Sequence, residues 1–310
     1  MRLAIPRETH PGENRASVTP ETVKKLVRLG ADLAIEAGAG AGAGFSDEAY
    51  AAEGASVVTD RDALLGSADM VLRLRKPELE EVAELKAGCI HVSYLDPFNE
   101  HELIREFAAK SITAVSMEMI PRSTRSQKMD ALRSQANLAG YMAVMLAATR
   151  LPRIFPMMMT PAGTLKPSKV FIIGAGVAGL QAIATAKRLG ARVTAFDTRP
   201  VVAEQVQSLG GKFLEIDLGD TGQTADGYAR ELTPEQVEIQ RQAQKAVIAE
   251  SDVVITTAQV FGRKPPVLVT ADMVAGMAPG SVVVDMAAET GGNVEGSVPD
   301  EVVDVGGVTI

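Results

Sequence analysis

Hydrophobic and polar positions along this chain alternate between two periods. Short aliphatic and β-branched runs fall at Leu3 to Ile5, Leu33 to Ile35, Ser56 to Val58, Met70 to Leu74, Ile90 to Tyr94 and Ile112 to Met117, separated by stretches of helical spacing. That alternation predicts parallel strands joined by crossover helices. The first crossover is well punctuated, with Thr19 as the helix cap, Pro20 in its first turn and Gly30 just past its end. Helical spacing returns at Ala131 and continues to Arg150. Beyond it, runs at Val170 to Ile173, Arg192 to Asp197, Lys212 to Asp217, Val253 to Thr257 and Val282 to Met286 predict a second set of strands. Helices are expected over Val201 to Leu209 and from about Pro234 to Glu250.

One unit in the second half carries chemistry. In KVFIIGAGVAGLQAIATAKRLGARVTAFD, Lys169 to Asp197, a strand stops at a glycine turn and a helix follows with apolar positions at Val177, Leu180 and Ile183. Gly174, Gly176 and Gly179 form G-x-G-x-x-G. The first glycine permits a tight turn, the second lets the backbone approach a pyrophosphate, and the third lets helix pack on strand. Free N–H groups at the start of that helix, at Val177 and Ala178, then face the phosphates, and the helix dipole favours negative charge there. Asp197 closes the next strand, where its carboxylate can accept hydrogen bonds from the adenosine ribose hydroxyls. A 2′-phosphate would meet a like charge, which predicts NAD(H) over NADP(H), although a nearby arginine such as Arg199 can accommodate that phosphate. The fold class expected is α/β, with two Rossmann-like domains of parallel sheets, 1–130 and 151–310. A cleft lies between them in this reading, and an interdomain helix over 131–150 joins them.

Other segments bear on the site. Between Gly38 and Gly44, GAGAGAG looks like a phosphate loop, yet its glycines recur every second residue, so a flexible turn is expected. The opening loop PRETHPGENRASVTP holds Arg7, Glu8, Glu13 and Arg15, and is either a solvated loop of ion pairs or part of the interdomain cleft. In PRSTRSQKMD, Arg122, Arg125, Gln127, Lys128 and Asp130 crowd ahead of the long helix, as a charged surface loop or as a cleft lining. The apolar IFPMMMT is expected to be buried, because methionine runs more often pack cores than bind ligands. Leu218 to Glu231, LGDTGQTADGYARE, is a long polar loop whose only aromatic residue is Tyr228, and it reads as a mobile lid or as disorder. Thr256, Thr257, Ala258, Glu289, Gly291, Gly292 and Asn293 fall at or just after strand ends, where open α/β sheets bind ligands.

Composition narrows the classes. With 310 residues the chain has room for two cores, and its net charge of −8 argues against a nucleic-acid partner. A single cysteine, Cys89, excludes an internal disulfide and suits a reducing compartment. Only His10, His91 and His101 stand beside it, without zinc-like spacing, so no metal is expected. Strand-like residues begin at Leu3, leaving no room for a signal peptide, and the apolar stretch from Leu138 to Thr149 is too short to span a bilayer. A cytoplasmic location is expected.

The segments IPRETHPGENR, PRSTRSQKMD with SQANLAGY, FPMMMT, GAGVAGLQAIATAKRLGA, QVQSLGGKF, DGYARE and AAETGGN carry a resemblance. Over essentially its whole length the chain resembles the NAD(H)-binding components of proton-translocating NAD(P) transhydrogenases of the Re/Si-specific type, relatives of alanine dehydrogenase. The resemblance implies direct hydride transfer between NAD(H) bound here and NADP(H) bound on a partner subunit, coupled to proton translocation by a membrane-spanning component. It also implies a homodimer, held peripherally at the inner membrane through those partners. It assigns the nicotinamide end to Arg122, Gln127 and Asp130. Further cofactor contacts are implied at Asn137, Thr198, Arg199, Gly227, Tyr228, Thr257, Ala258 and Glu289, with Tyr228 on a loop that closes over the nucleotide.

Hydride transfer between two nicotinamides moves no proton at the reacting carbons, so such a site has to hold two rings in contact and exclude water, without a general acid or base. Alanine dehydrogenase also needs proton transfer. Against that relative's Arg, Lys, His and late Asp, this chain has Arg15, Arg75 (next to Lys76), Asp96 and Glu289: a carboxylate grip is kept and the histidine is missing. A transhydrogenase component is therefore favoured over an alanine dehydrogenase-like oxidoreductase. It is also favoured over a non-catalytic NAD(H)-sensing protein, which has no reason to keep Arg122, Gln127 and Asp130 together. Two departures stand out. Arg133 replaces a small residue, and family members continue past Ile310 with a segment that returns to the first domain, so a looser cleft is expected.

Overall fold

The computed structural model describes residues 1–121, 123–219, 221, 230–259 and 262–310. They divide into two compact units, Met1–Leu132 and Arg133–Ile310.

In the first unit, six strands form one sheet: β1 (Arg2–Ile5), β2 (Asp32–Glu36), β3 (Ser56–Val58), β4 (Met70–Leu72), β5 (Ile90–Ser93) and β6 (Thr113–Ser116). Their order is β3-β2-β1-β4-β5-β6, and every neighbouring pair is parallel. The order reverses between β1 and β4, which opens a crevice outside their carboxyl ends, the usual ligand position in such sheets. Helices α1 (Pro20–Arg28), α2 (Asp47–Ala52), α3 (Arg61–Ser67), α4 (Leu79–Val82) and α5 (His101–Ala109) make the crossovers. Helix α1 starts as its sequence dictates, with the Thr22 N–H donating to the Thr19 side chain at 3.3 Å and Pro20 in the first turn.

The Gly38–Gly44 stretch corrects an expectation: it is a close-packed turn and not a flexible one. A Cβ on Gly40 would lie 2.7 Å from the Tyr50 hydroxyl, and one on Gly42 would lie 2.9 Å from the Asn14 carbonyl oxygen. Tyr50 is fully buried and donates to the Val18 carbonyl at 2.9 Å, so it cannot retreat. These glycines are fixed by protein contacts and leave no phosphate cradle to explain.

The second unit begins within α6 (Ala131–Arg150) and continues through a hairpin, β7 (Met158–Thr160) and β8 (Gly163–Leu165). Its main sheet comprises β9 (Lys169–Ile173), β10 (Arg192–Phe196), β11 (Lys212–Phe213), β12 (Val253–Thr256), β13 (Val282–Asp285), β14 (Asp304–Val305) and β15 (Val308–Thr309). Between these run α7 (Val177–Arg188), α8 (Ala203–Ser208), α9 (Pro234–Ala249) and α10 (Ala271–Ala275). The order β11-β10-β9-β12-β13-β15-β14 is parallel except for β14 at the edge. Again the order reverses beside the first strand, here β9. One face of the sheet packs on α6 and α7 through Ala143, Val144, Ala147, Ala182, Ile183 and Ala186. The other face packs on α9 and α10 through Ile248, Met273 and Val274.

Two further expectations change. The strand predicted over Lys212 to Asp217 stops at Phe213, because only Lys212 and Phe213 pair with β10. In IFPMMMT, Phe155 is buried, but Met157, Met158 and Met159 are 64%, 46% and 82% exposed. Their strand pairs only with its hairpin partner, so the run lies on an arm outside the main sheet. Among the described residues, no helix is long and apolar enough to cross a membrane.

Candidate nucleotide site

The turn between β9 and α7 has the shape its three glycines predict, each for a separate reason. Gly174 has φ +99, a left-handed conformation that other residues resist, and its N–H donates to the Phe196 carbonyl at 2.8 Å. A Cβ on Gly179 would lie 2.8 Å from the Gly174 carbonyl carbon and 3.3 Å from the Thr257 hydroxyl, so the third glycine lets the helix seat on the strand. Gly176 differs. Its φ −77 and ψ −164 suit any residue, and a Cβ there would meet no protein atom within 4 Å. No side chain caps α7. The amides of its first turn, from Val177 and Ala178, therefore face a space that the chain keeps open, at the positive end of a twelve-residue helix.

The turn is braced from three sides. The Thr257 N–H donates to the Ile173 carbonyl at 2.9 Å, and its hydroxyl donates to the Gly174 carbonyl at 3.1 Å. Asp197 accepts from the Ala175 N–H at 2.8 Å, tying the end of β10 to the turn. Helix α6 approaches from the third side: a Cβ on Gly140 would lie 2.9 Å from the Ala178 carbonyl carbon, so the two helices meet backbone to backbone. Asn137 is exposed one turn before that contact.

A second anchor sits at the end of β13. Asp285 accepts from the Ala287 N–H at 2.9 Å, the Asn293 N–H at 2.8 Å, the Val294 N–H at 3.0 Å, the Ser297 hydroxyl at 2.8 Å and the Thr256 hydroxyl at 3.2 Å. It thereby fixes the loop from Ala287 to Gly292, on which Glu289 is exposed. Asn293, fully buried, donates from its amide to the carbonyls of Ala258 and Pro266, at 3.0 and 2.9 Å, and links this loop to the one after β12.

In the first unit, polar groups gather at the carboxyl ends of the strands. Glu8 accepts from the Leu74 N–H at 2.6 Å, and Glu13 takes both Arg15, at 2.6 Å, and Arg75, at 3.0 Å. Hydrogen bonding from Arg15 holds the Glu13 carboxyl down at about 2, against the opposing effect of its burial. Burial pushes the Tyr94 hydroxyl up, with Arg15 opposing and Glu118 and Asp130 adding to the rise. Asp130 is half-buried, and Gln127 is exposed on a short 3-10 turn, Gln127–Met129. Asp96 has φ +48, and its carboxylate is held by the Asn99 amide at 2.9 and 3.0 Å. Nearby, Glu36, Arg61, Glu81 and Arg73 form a chain of ion pairs of 2.5 to 2.6 Å. Fully buried His91 packs on the Phe107 ring, with centroids 5.0 Å apart. Burial and then the charge of Arg73 push its pKa down to about 3, so it is neutral.

Family models match the chain in two adjoining segments. The alanine dehydrogenase/PNT N-terminal domain covers residues 4–139 and the alanine dehydrogenase/PNT C-terminal domain covers 143–310. The chain belongs to the alanine dehydrogenase/PNT family. Within that family it is 45% identical to the first of the polypeptides that make up the NAD(P) transhydrogenase alpha subunit of Rhodospirillum rubrum, over 100% of this chain and 83% of that one. The crystal structure of transhydrogenase from Sinorhizobium meliloti superposes with a TM-score of 0.89 at 44% identity, covering 100% of this chain and 85% of that chain. Alanine dehydrogenase of Bacillus subtilis is more distant, at 30% identity over 95% of this chain and 72% of its own.

This family member places Gly174, Gly176, Val177, Ala178, Gly179, Asp197, Thr198, Arg199, Thr257, Ala258 and Glu289 at the carboxyl rim of the second sheet. Gln127 and Asp130 belong to the first unit. Arg122, Gly227 and Tyr228 lie outside the described residues. Two contributors outside the expected set also carry a sequence signal. Asp285 ends a buried aliphatic run just as Asp197 does, and Gly140 is a lone glycine amid good helix formers, a usual mark of close packing. Among the described residues no group of three or more His, Cys, Asp and Glu side chains could hold a metal.

Proposed function

We propose that this chain is the NAD(H)-binding component of a proton-translocating NAD(P) transhydrogenase. The observation that carries the reading is Gly176: its backbone needs no glycine and its surroundings exclude no side chain, so the open space is for a ligand that comes up to the main chain. Uncapped amides at the start of α7 suit a pyrophosphate, and Asp197 suits a ribose. The nicotinamide end is assigned to Gln127 and Asp130, together with Arg122. The ring bound here exchanges a hydride, one proton with two electrons, directly with the ring of NADP(H) on a partner subunit. A membrane-spanning component couples that exchange to proton movement, and the chain is a cytoplasmic homodimer docked at the inner membrane through these partners.

The first-unit rim favours hydride exchange over amino-acid oxidation. Arg15 and Arg75 both engage Glu13, an internal carboxylate in the place a substrate carboxylate would take. At the position where the dehydrogenase reading needs a proton shuttle, Asp96 is tied into a local turn by Asn99. The dimer is supported by α6, which is apolar all round. It buries Gly140, Ala143, Val144 and Ala147 on one side, while Leu138, Tyr141, Met142 and Leu146 are exposed on the other. A helix of that kind is normally covered on both faces.

The test is hydride transfer from NADPH to an NAD analogue in the presence of an NADP(H)-binding transhydrogenase domain, with NADH binding measured in the same sample. Transfer is expected, and Gln127→Asn should slow it far more than it weakens NADH binding. Alanine-dependent reduction of NAD without such transfer would replace this reading with the dehydrogenase one.

A further inference from the structure

Asp197 is the acceptor expected to take the adenosine ribose hydroxyls, yet its carboxylate is already saturated. One oxygen accepts the Arg199 N–H at 2.9 Å and the Arg199 Nε at 2.9 Å. The other accepts the Ala175 N–H at 2.8 Å and the Arg199 Nη2 at 2.8 Å. A carboxylate offers about four acceptor positions, so none is left for a ribose. The two backbone donors belong to the turn itself and stay. The two guanidinium donors belong to a side chain, and they occupy the direction from which a ribose would approach.

The pair also changes the charge that a nucleotide meets. A bare aspartate here repels a 2′-phosphate. With the guanidinium forked onto it, the local charge is neutralised, and a planar cation with five donors is suited to a phosphate. A 2′-phosphate can bind Arg199 while Arg199 keeps its hold on Asp197, whereas a free 2′-hydroxyl has to displace the fork to reach its acceptor.

We propose that Arg199 sets the nucleotide discrimination of this site, competing with the ribose for Asp197 and tolerating a 2′-phosphate, so that the preference for NAD(H) over NADP(H) is weaker than Asp197 alone would impose. This rests on the reading of the β9–α7 turn as a dinucleotide site. Arg199 is a specificity residue and takes no part in hydride transfer.

Dissociation constants for NADH and NADPH, read from nicotinamide fluorescence on the full chain, test it through their ratio. The pyrophosphate is common to both ligands, so its loss of attraction on removing a cation cancels. Arg199→Met, which keeps the apolar stem, should raise the NADPH-to-NADH ratio at least tenfold. Arg199→Lys keeps the charge without the fork and should raise it about threefold, which preserves the test if the methionine variant folds poorly. A ratio that stays constant or falls in whichever variant folds overturns the role given to Arg199. Failure of the unaltered chain to bind NADH overturns the nucleotide reading itself, and the inference with it.

Discussion

The three glycines of the β9–α7 turn have separable jobs, and a pair of alanine substitutions separates them. In Gly176→Ala the new methyl meets no protein atom within 4 Å, and φ −77 with ψ −164 is allowed. The unliganded protein should therefore melt unchanged or slightly higher, since Gly→Ala at a compatible site stabilises by about 0.4–1 kcal/mol through the unfolded chain. Binding should suffer, because the methyl occupies the space of the pyrophosphate. A loss of about 1.4–2.8 kcal/mol is expected, which is a 10- to 100-fold weaker NADH complex. In Gly179→Ala the methyl starts 2.8 Å from the Gly174 carbonyl carbon. Carbon–carbon contacts are normally about 3.5–4.0 Å, so α7 has to move by roughly 1 Å. Overpacking of this kind costs about 1–3 kcal/mol, and a melting temperature lower by about 2–10 °C follows for a unit of this size. Thermal unfolding by circular dichroism and NADH titration by nicotinamide fluorescence, run on the same preparations, read both effects. Gly176→Ala binding NADH as tightly as the unaltered chain, at an unchanged melting temperature, would refute the argument that a ligand explains this glycine.

Other outcomes follow from the anchors and the buried charges. His91 is neutral in the fold, with its pKa pushed down to about 3 by burial and Arg73. The unfolded chain gains a proton there below about pH 6.5, so the associated stability is present above that value and is lost as pH falls; about 1.4 kcal/mol disappears between pH 7.5 and 5.5. Urea unfolding at the two pH values should show that slope reduced by this amount in His91→Leu, and equal slopes would exclude His91 as its source. Asp285→Asn turns an acceptor of five hydrogen bonds partly into a donor, leaving buried N–H groups unmet at about 1–3 kcal/mol each, and calorimetry should find the second unit melting several degrees lower. Charged residues in place of Leu138 and Met142 on the exposed face of α6 should give monomers in sedimentation while leaving the melting of each unit intact.

Much of the fold was legible because its signals are local. The parallel strands announce themselves as aliphatic runs that need no polar face, and the β9–α7–β10 unit combines three such signals within thirty residues. What escaped depends on partners distant in the chain. The methionines at 157–159 have core composition, but burial is a property of what covers a residue, and a two-stranded arm outside the main sheet has little to cover it. The glycines at 38–44 look like a ligand loop until Tyr50 and Asn14 are seen against them. Asp197 could be identified as the ribose acceptor from its place after β10, whereas its saturation by Arg199 depends on a rotamer that spacing does not specify. Asp285 was hidden for a similar reason, since its five donors come from residues spread from Thr256 to Ser297.

The backbone contact between Gly140 and Ala178 joins the helix with the exposed apolar face to the helix that presents its amides to the phosphates. Any partner that settles on α6 therefore presses, through a junction with no side chain to yield, on the seat of the nucleotide. Thermodynamic linkage makes such an arrangement symmetrical: whatever factor self-association applies to the affinity for NAD(H), NAD(H) must apply to self-association. Nucleotide affinity in this protein is then a function of protein concentration, and dilution itself becomes a way of emptying the site.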